Sequence, residues 1–142
     1  MAFGQILYHE IEGGQDQLNY YSNLGRNNWG LLIDDFLYND QDMTNGQLAK
    51  VALIDSGSVA IQLPQFVWEN VLLSMQVEAF NKDYRVVKER NENGQWEIRV
   101  VNLNCEDVWD KLKPIKFKIE NTSITIEPRG YTYQLDKRQG YC

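Results

Sequence analysis

The stretch VALIDSGS at residues 51–58 decides our interpretation of the fold, because it places an acid at the end of an apolar run. Four apolar residues predict a strand, and the letters DSGS that follow are typical of a turn. A second apolar run resumes at residues 59–63. We therefore expect Asp55 at the tip of a sharp bend between two buried β segments.

An acid in this position points to chemistry. An ionised carboxylate beside a buried strand is costly unless hydrogen bonds hold it. Ser56, Ser58 and the N–H groups of the turn at Gly57 can supply such bonds. A carboxyl that is held rigidly and desolvated on one side suits general acid/base catalysis. Because Asp-Ser-Gly is also ordinary turn composition, the triplet alone leaves a plain surface turn open.

The residues around this stretch predict a mainly β protein with one good helix. Short runs of Val, Ile, Tyr, Phe, Trp and Thr alternate with Gly and Asn. Upstream, residues 29–37 predict a strand that pairs with residues 48–51 through an Asn-Gly turn at residues 45–46. Downstream, Pro64 and apolar residues at helical spacing predict a helix over residues 64–77.

The C-terminal half predicts two more hairpins. Residues 84–87 pair with residues 96–101 across an Asn-Gly turn. Strands at residues 115–120 and 124–127 flank a polar turn at residues 121–123. Neither an internal repeat nor a linker is evident, so we predict a single domain over residues 1–142.

Composition narrows the function classes. The 142 residues are 43% hydrophobic and carry a formal charge of -6, and the basic residues form no long run. We therefore expect no nucleic-acid and no membrane partner. The lone His9 has no nearby second histidine or cysteine, so we expect no metal site. Core packing is the expected use for most of the four tryptophans, with interface contacts as the alternative.

The cysteine count leaves two interpretations open. Cys105 and Cys142 are the only cysteines, and they are either free thiols or a pair closing a loop of about 38 residues. Spacing alone does not decide between them.

Several ordered signals resemble the C-terminal lobe of pepsin-like (family A1) aspartic proteases. Residues 52–58, followed by Leu-Pro and a helix, look like that family's second active-site loop. Residues 18–34 are similar to the segment that precedes this loop, where a tryptophan opens a strand. Downstream, a cysteine, an apolar strand, Pro-x-x-Tyr at residues 128–131 and a final cysteine follow in the family's order. The resemblance covers residues 18–142.

The resemblance implies a fold and a catalytic role. The expected fold is an incomplete double-psi β-barrel-like lobe with one or two short helices. Asp55 would share one proton with a second aspartate, supplied by an N-terminal lobe that this sequence lacks, and the pair would activate water against a peptide bond of a peptide or protein substrate. This protease dyad is a standard example of two carboxylates too close for both to ionise. The resemblance implies no metal and no organic cofactor.

The resemblance also assigns supporting residues. Ser56 would make a hydrogen bond across the lobes, Ser58 would bond the outer oxygen of Asp55, and Gly57 would permit the tight turn. Leu53 and Ile61 are candidate subsite walls, with an ordinary core role as the alternative.

The resemblance implies a Cys105–Cys142 disulfide and hence an oxidising compartment: the secretory pathway, the extracellular space, or the lysosome or vacuole. Asn121 begins an Asn-Thr-Ser sequon and is a candidate glycosylation site.

Departures from the family pattern leave three hypotheses. The sequence has no second Asp-Thr-Gly or Asp-Ser-Gly loop, and Val59 stands where a serine is usual. We therefore expect a lobe of a two-lobed endopeptidase that is inactive by itself. The alternatives are a single-lobe protease that homodimerises and a catalytically silent β domain used for binding or structure.

Overall fold

The structure, a computed structural model, describes residues 12–14, 16, 18–25, 27–47, 51–58, 60–120, 122–134 and 140–142. The described part is mainly β, as predicted, and has three helices where one or two were expected. The elements in chain order are β1 (Trp29–Leu32), β2 (Asp35–Tyr38), β3 (Gln41–Asp42), β4 (Val51–Ile54), α1 (Gln65–Ala79), β5 (Arg85–Arg90), β6 (Trp96–Val101), α2 (Cys105–Val108), β7 (Ile115–Ile119), β8 (Thr122–Ile126) and α3 (Pro128–Tyr131).

The strands form three antiparallel sheets. Strands β1 and β4 make a two-stranded ribbon, β5 and β6 make a hairpin, and the remaining four lie in the order β3-β2-β7-β8. The described strands do not close into a barrel. This arrangement is consistent with an incomplete pepsin-like lobe.

The core lies between α1, the β5–β6 hairpin and the four-stranded sheet. Helix α1 begins after Pro64, whose carbonyl accepts the first helical hydrogen bond, from the Trp68 N–H at 3.0 Å. The helix runs two residues beyond its predicted end. One face of α1 is buried against the β5–β6 hairpin and the four-stranded sheet. Each large apolar side chain buried in this way contributes about 1.5–3 kcal/mol to the stability of the fold. The buried residues of α1 are Val67, Val71, Leu72, Met75 and Ala79.

The hairpin predicted for residues 84–87 and 96–101 forms, although its first strand begins one residue later and ends three residues later than predicted. Strands β5 and β6 pair across the Asn-Gly turn, where Gly94 has the left-handed φ of 77° that this type of turn needs. The C-terminal residue then pairs with β6, because Cys142 and Val100 exchange backbone hydrogen bonds of 2.8 and 2.9 Å. A disulfide joins Cys142 to Cys105, with the two Cα atoms 4.8 Å apart.

Two boundary predictions were wrong. Thr122 and Ser123 lie in β8 rather than in a turn, because Ser123 pairs with Lys118 and Thr122 with Ile119. Glu120, at φ 52°, takes the left-handed position between the strands. The candidate glycosylation residue Asn121 lies outside the described residues.

The ribbon differs most from its prediction. Strand β1 pairs with β4 in the register Trp29↔Ile54 to Leu32↔Val51, with β2 and β3 inserted in the connection. The strand expected after Asp55 does not form in residues 60–64, and Val59 lies outside the described residues. The expectation of buried β segments beside Asp55 was also wrong, because β4 is largely exposed.

A bilayer-spanning helix would need about 20 apolar residues. Within the described ranges, no helix meets the length and hydrophobicity needed.

Candidate active site

Asp55 is placed by the end of the ribbon. The last pair of the β1–β4 register joins Trp29 to Ile54, so the chain turns directly after its final strand residue. In the turn, Asp55 Oδ1 accepts the Gly57 N–H at 2.9 Å, and the Asp55 carbonyl accepts the Ser58 N–H at 3.2 Å. The carboxyl is therefore oriented by its own turn, and it is exposed to solvent.

Gly57 lies close to the carboxyl. A Cβ added there would come within 3.2 Å of Asp55 Oδ1, so a larger residue would push against the oxygen that the turn holds. The glycine thus keeps space for the carboxylate as well as donating to it.

Ser58 departs from its expected role among the described residues. The Ser58 hydroxyl donates to the Ala60 carbonyl at 2.8 Å and makes no bond to the outer oxygen of Asp55. Ser56 is exposed, and its side chain makes no hydrogen bond to the described residues.

The two candidate subsite residues lie at the surface on either side of the turn. The exposed fraction is 61% for Leu53 and 41% for Ile61, so the core alternative is wrong for both. Ile61 also lines an open groove of about 630 Å³ between α1 and the β5–β6 hairpin, together with Leu63, Trp68, Trp96 and Ile98.

The ribbon leading to Asp55 exposes apolar side chains on both of its faces. The pairing puts Trp29 and Ile54 on one face and Leu32, Val51 and Leu53 on the other. These five residues, which we call the apolar ribbon, are 41–70% exposed. The expected core role of the tryptophans is therefore wrong for Trp29, and for Trp96 as well, which is 51% exposed with Lys88 and Arg90 over its ring.

The residues that could hold a metal ion are scattered. Across the part of the chain that the structure describes, no three His, Cys, Asp or Glu side chains cluster closely enough for a metal site. The Asp55 carboxylate accepts the Gly57 N–H, and a carboxylate by itself can accept or donate one proton but needs a second acid to do both at once.

The family comparison bears on this lone acid. The model of the eukaryotic aspartyl protease family matches residues 1–142, which is the whole chain. The chain belongs to the eukaryotic aspartyl protease family. Searches among curated proteins and among solved structures returned no match.

Family membership supports a hydrolase function in general and a peptide as substrate. In this aspartyl protease chain, residues 51–58 form a strand followed by a turn, with the Asp55 carboxyl exposed at the turn. The supporting residues that sequence reasoning missed are Asn23 and Gly30, whose hydrogen bond joins Asn23 to β1. The Asn-x-Gly sequence at residues 23–25 could have indicated this contact, since Asn side chains commonly accept a hydrogen bond from the backbone N–H two residues on.

Proposed function

We propose that this chain is one lobe of an aspartic endopeptidase and that Asp55 is one of the two catalytic carboxylates. The second aspartate comes from an N-terminal lobe on the far side of a cleft. The two carboxyls share one proton, because two such charges at close range cannot both persist.

In the proposed reaction, the unprotonated carboxylate takes a proton from water as the water oxygen attacks the peptide carbonyl carbon. The protonated carboxyl gives its proton to the carbonyl oxygen, which forms a neutral gem-diol. As the gem-diol collapses, the second, now ionised carboxylate takes a proton from one of its hydroxyls, the C–N bond breaks, and the amine leaves with the proton returned from the first carboxyl, so the dyad again holds one proton. The reaction needs only a water, the two carboxyls and the peptide bond, and it uses no metal or organic cofactor.

The observation that carries the proposal is the apolar ribbon next to Asp55. A two-stranded ribbon is marginally stable by itself in water, and this one exposes apolar side chains on both faces. Large exposed apolar areas mark surfaces that contact another part of a protein. An opposing lobe would cover the ribbon and bring its own carboxyl to Asp55.

The proposal also gives Leu53 and Ile61 a role as apolar subsite walls and places Ser56 where it can bond across to the other lobe. The Cys105–Cys142 disulfide supports an oxidising compartment, namely the secretory pathway, the extracellular space, or the lysosome or vacuole.

The test combines sedimentation with peptide hydrolysis by the purified 16.6 kDa chain. The proposal predicts a monomer that cleaves no peptide, since one carboxylate cannot run a two-acid mechanism. A tight two-fold dimer with activity sensitive to a transition-state-analogue inhibitor would instead favour the homodimeric protease. Inhibitor-sensitive hydrolysis by the monomer would contradict both.

A further inference from the structure

We propose that Asn23 is a positioning residue for the Asp55 turn: its carboxamide oxygen fastens β1, and β1 in turn holds the strand that ends at Asp55. The catalytic meaning of this role rests on the proposed function, whereas the mechanical coupling does not.

Asn23 holds β1 through a hydrogen bond to Gly30, which is buried. Asn23 Oδ1 accepts the Gly30 N–H at 2.8 Å and the Gly25 N–H at 3.0 Å. The Leu24 N–H donates to the Gly30 carbonyl at 2.8 Å. Both backbone polar groups of Gly30 are therefore bonded to residues 23–24. Because Gly30 is buried, losing Asn23 Oδ1 leaves its N–H without an acceptor, which is more costly than losing an exposed bond.

Close packing makes the contact rigid. A Cβ added at Gly30 would lie 3.1 Å from the Gly25 nitrogen and 3.1 Å from Val51 Cγ1. A Cβ added at Gly25 would lie 2.2 Å from the Asn28 carbonyl oxygen. Residues 23–25, β1 and β4 therefore pack as successive layers. Neither Gly25 nor Gly30 has room for a side chain.

The register connects this contact to the catalytic turn. Gly30 pairs with Leu53, and Trp29 pairs with Ile54, the residue before Asp55. Neither strand of the ribbon pairs with another strand among those described. Residues 23–24 therefore restrain the edge of β1 away from β4, and a shift of β1 moves the base of the Asp55 turn.

The test is amide hydrogen exchange, measured by NMR, in Asn23→Ala, Asn23→Asp and the unchanged protein. In Asn23→Ala we expect exchange across residues 51–58 to rise about five- to thirtyfold, the change in local opening that one or two net hydrogen bonds support. Exchange in β5 and β6 should stay the same. Asn23→Asp keeps an acceptor oxygen at the same distance from the backbone and should restore slow exchange.

Asn91→Ala is a matched control. Asn91 Oδ1 accepts the N–H groups of Asn93 and Gln95 in the β5–β6 turn, so this variant loses the same kind of bond elsewhere. Its faster exchange should stay within residues 91–97. If Asn23→Ala does not fold, Asn23→Gln serves in its place, because the longer side chain moves the oxygen away from Gly30.

Unchanged exchange at residues 51–58 in Asn23→Ala would overturn the proposal, as would an equal rise in β5 and β6 or no rescue by Asn23→Asp. None of these measurements requires proteolysis. An Asn23 effect on exchange in a protein whose peptide hydrolysis does not depend on Asp55 would leave the coupling standing and reject the proposed function alone.

Discussion

The Tyr38 hydroxyl donates a hydrogen bond of 2.9 Å to Glu78 Oε2, which joins β2 to the last turn of α1. Tyr38 is completely buried, and its oxygen also accepts the Lys113 N–H at 3.4 Å. Asn39 donates to the other Glu78 oxygen at 3.3 Å. Three separate parts of the chain thus meet at one buried phenol.

Tyr38→Phe should lower the free energy of unfolding by about 1–2 kcal/mol, because a hydrogen bond to a charged acceptor is lost while Asn39 still contacts Glu78. Urea unfolding followed by tryptophan fluorescence measures the change. Tyr141→Phe is the control: Tyr141 is 39% exposed, and its hydroxyl bonds none of the described residues. Equal stability of both variants would contradict the role of Tyr38.

Alkaline pH should destabilise the fold through the buried phenols. Burial raises the pKa of Tyr38 and of Tyr131 well above the ordinary tyrosine value of 10.0. The unfolded chain therefore loses these protons first as pH rises. The stabilisation is fully present below about pH 10 and is lost progressively above it, so the urea midpoint should fall as pH is raised from about 10 to about 11. A Tyr38→Phe, Tyr131→Phe double variant should show a shallower fall, and an equally steep fall would contradict the assignment.

Removal of the disulfide should weaken the packing of the C-terminus on β6. Cys105 and Cys142 lie 37 residues apart, and the chain-entropy model gives a loss of about 3–4 kcal/mol for a loop of this size. The Cys105→Ala, Cys142→Ala double variant should therefore unfold at a lower urea concentration than the oxidised protein. Mass spectrometry of the unreduced protein checks the bond itself, and two free thiols would contradict it.

Local signals made much of the fold predictable. The apolar spacing of α1 and the Asn-Gly turn of the β5–β6 hairpin each act within about fifteen residues, where sequence order and spatial contact coincide. The pairing of β2 with β7 joins residues 35–38 to residues 115–118. A strand pattern identifies a strand without naming its partner, so this long-range contact could not be derived from periodicity.

The candidate site was predictable in position but not in surroundings. The sequence located Asp55 at a turn after an apolar strand, which the structure contains. The apolar residues 51–54 implied a buried strand, yet β4 is largely exposed, and none of the described residues covers it. The Ser58 hydroxyl donates to the Ala60 carbonyl, and a residue pattern does not specify which of several acceptors a hydroxyl bonds.

The most direct test of the account is peptide hydrolysis by the chain together with the proposed N-terminal lobe, compared with its Asp55→Asn and Asp110→Asn variants. Asn fills the same space but cannot exchange the proton that the dyad needs, whereas Asp110 is an exposed acid after α2. The account predicts that Asp55→Asn lowers kcat by at least about a thousandfold with little change in thermal unfolding, and that Asp110→Asn stays fully active. Hydrolysis that persists undiminished in Asp55→Asn would contradict the assignment of Asp55 as a catalytic carboxylate.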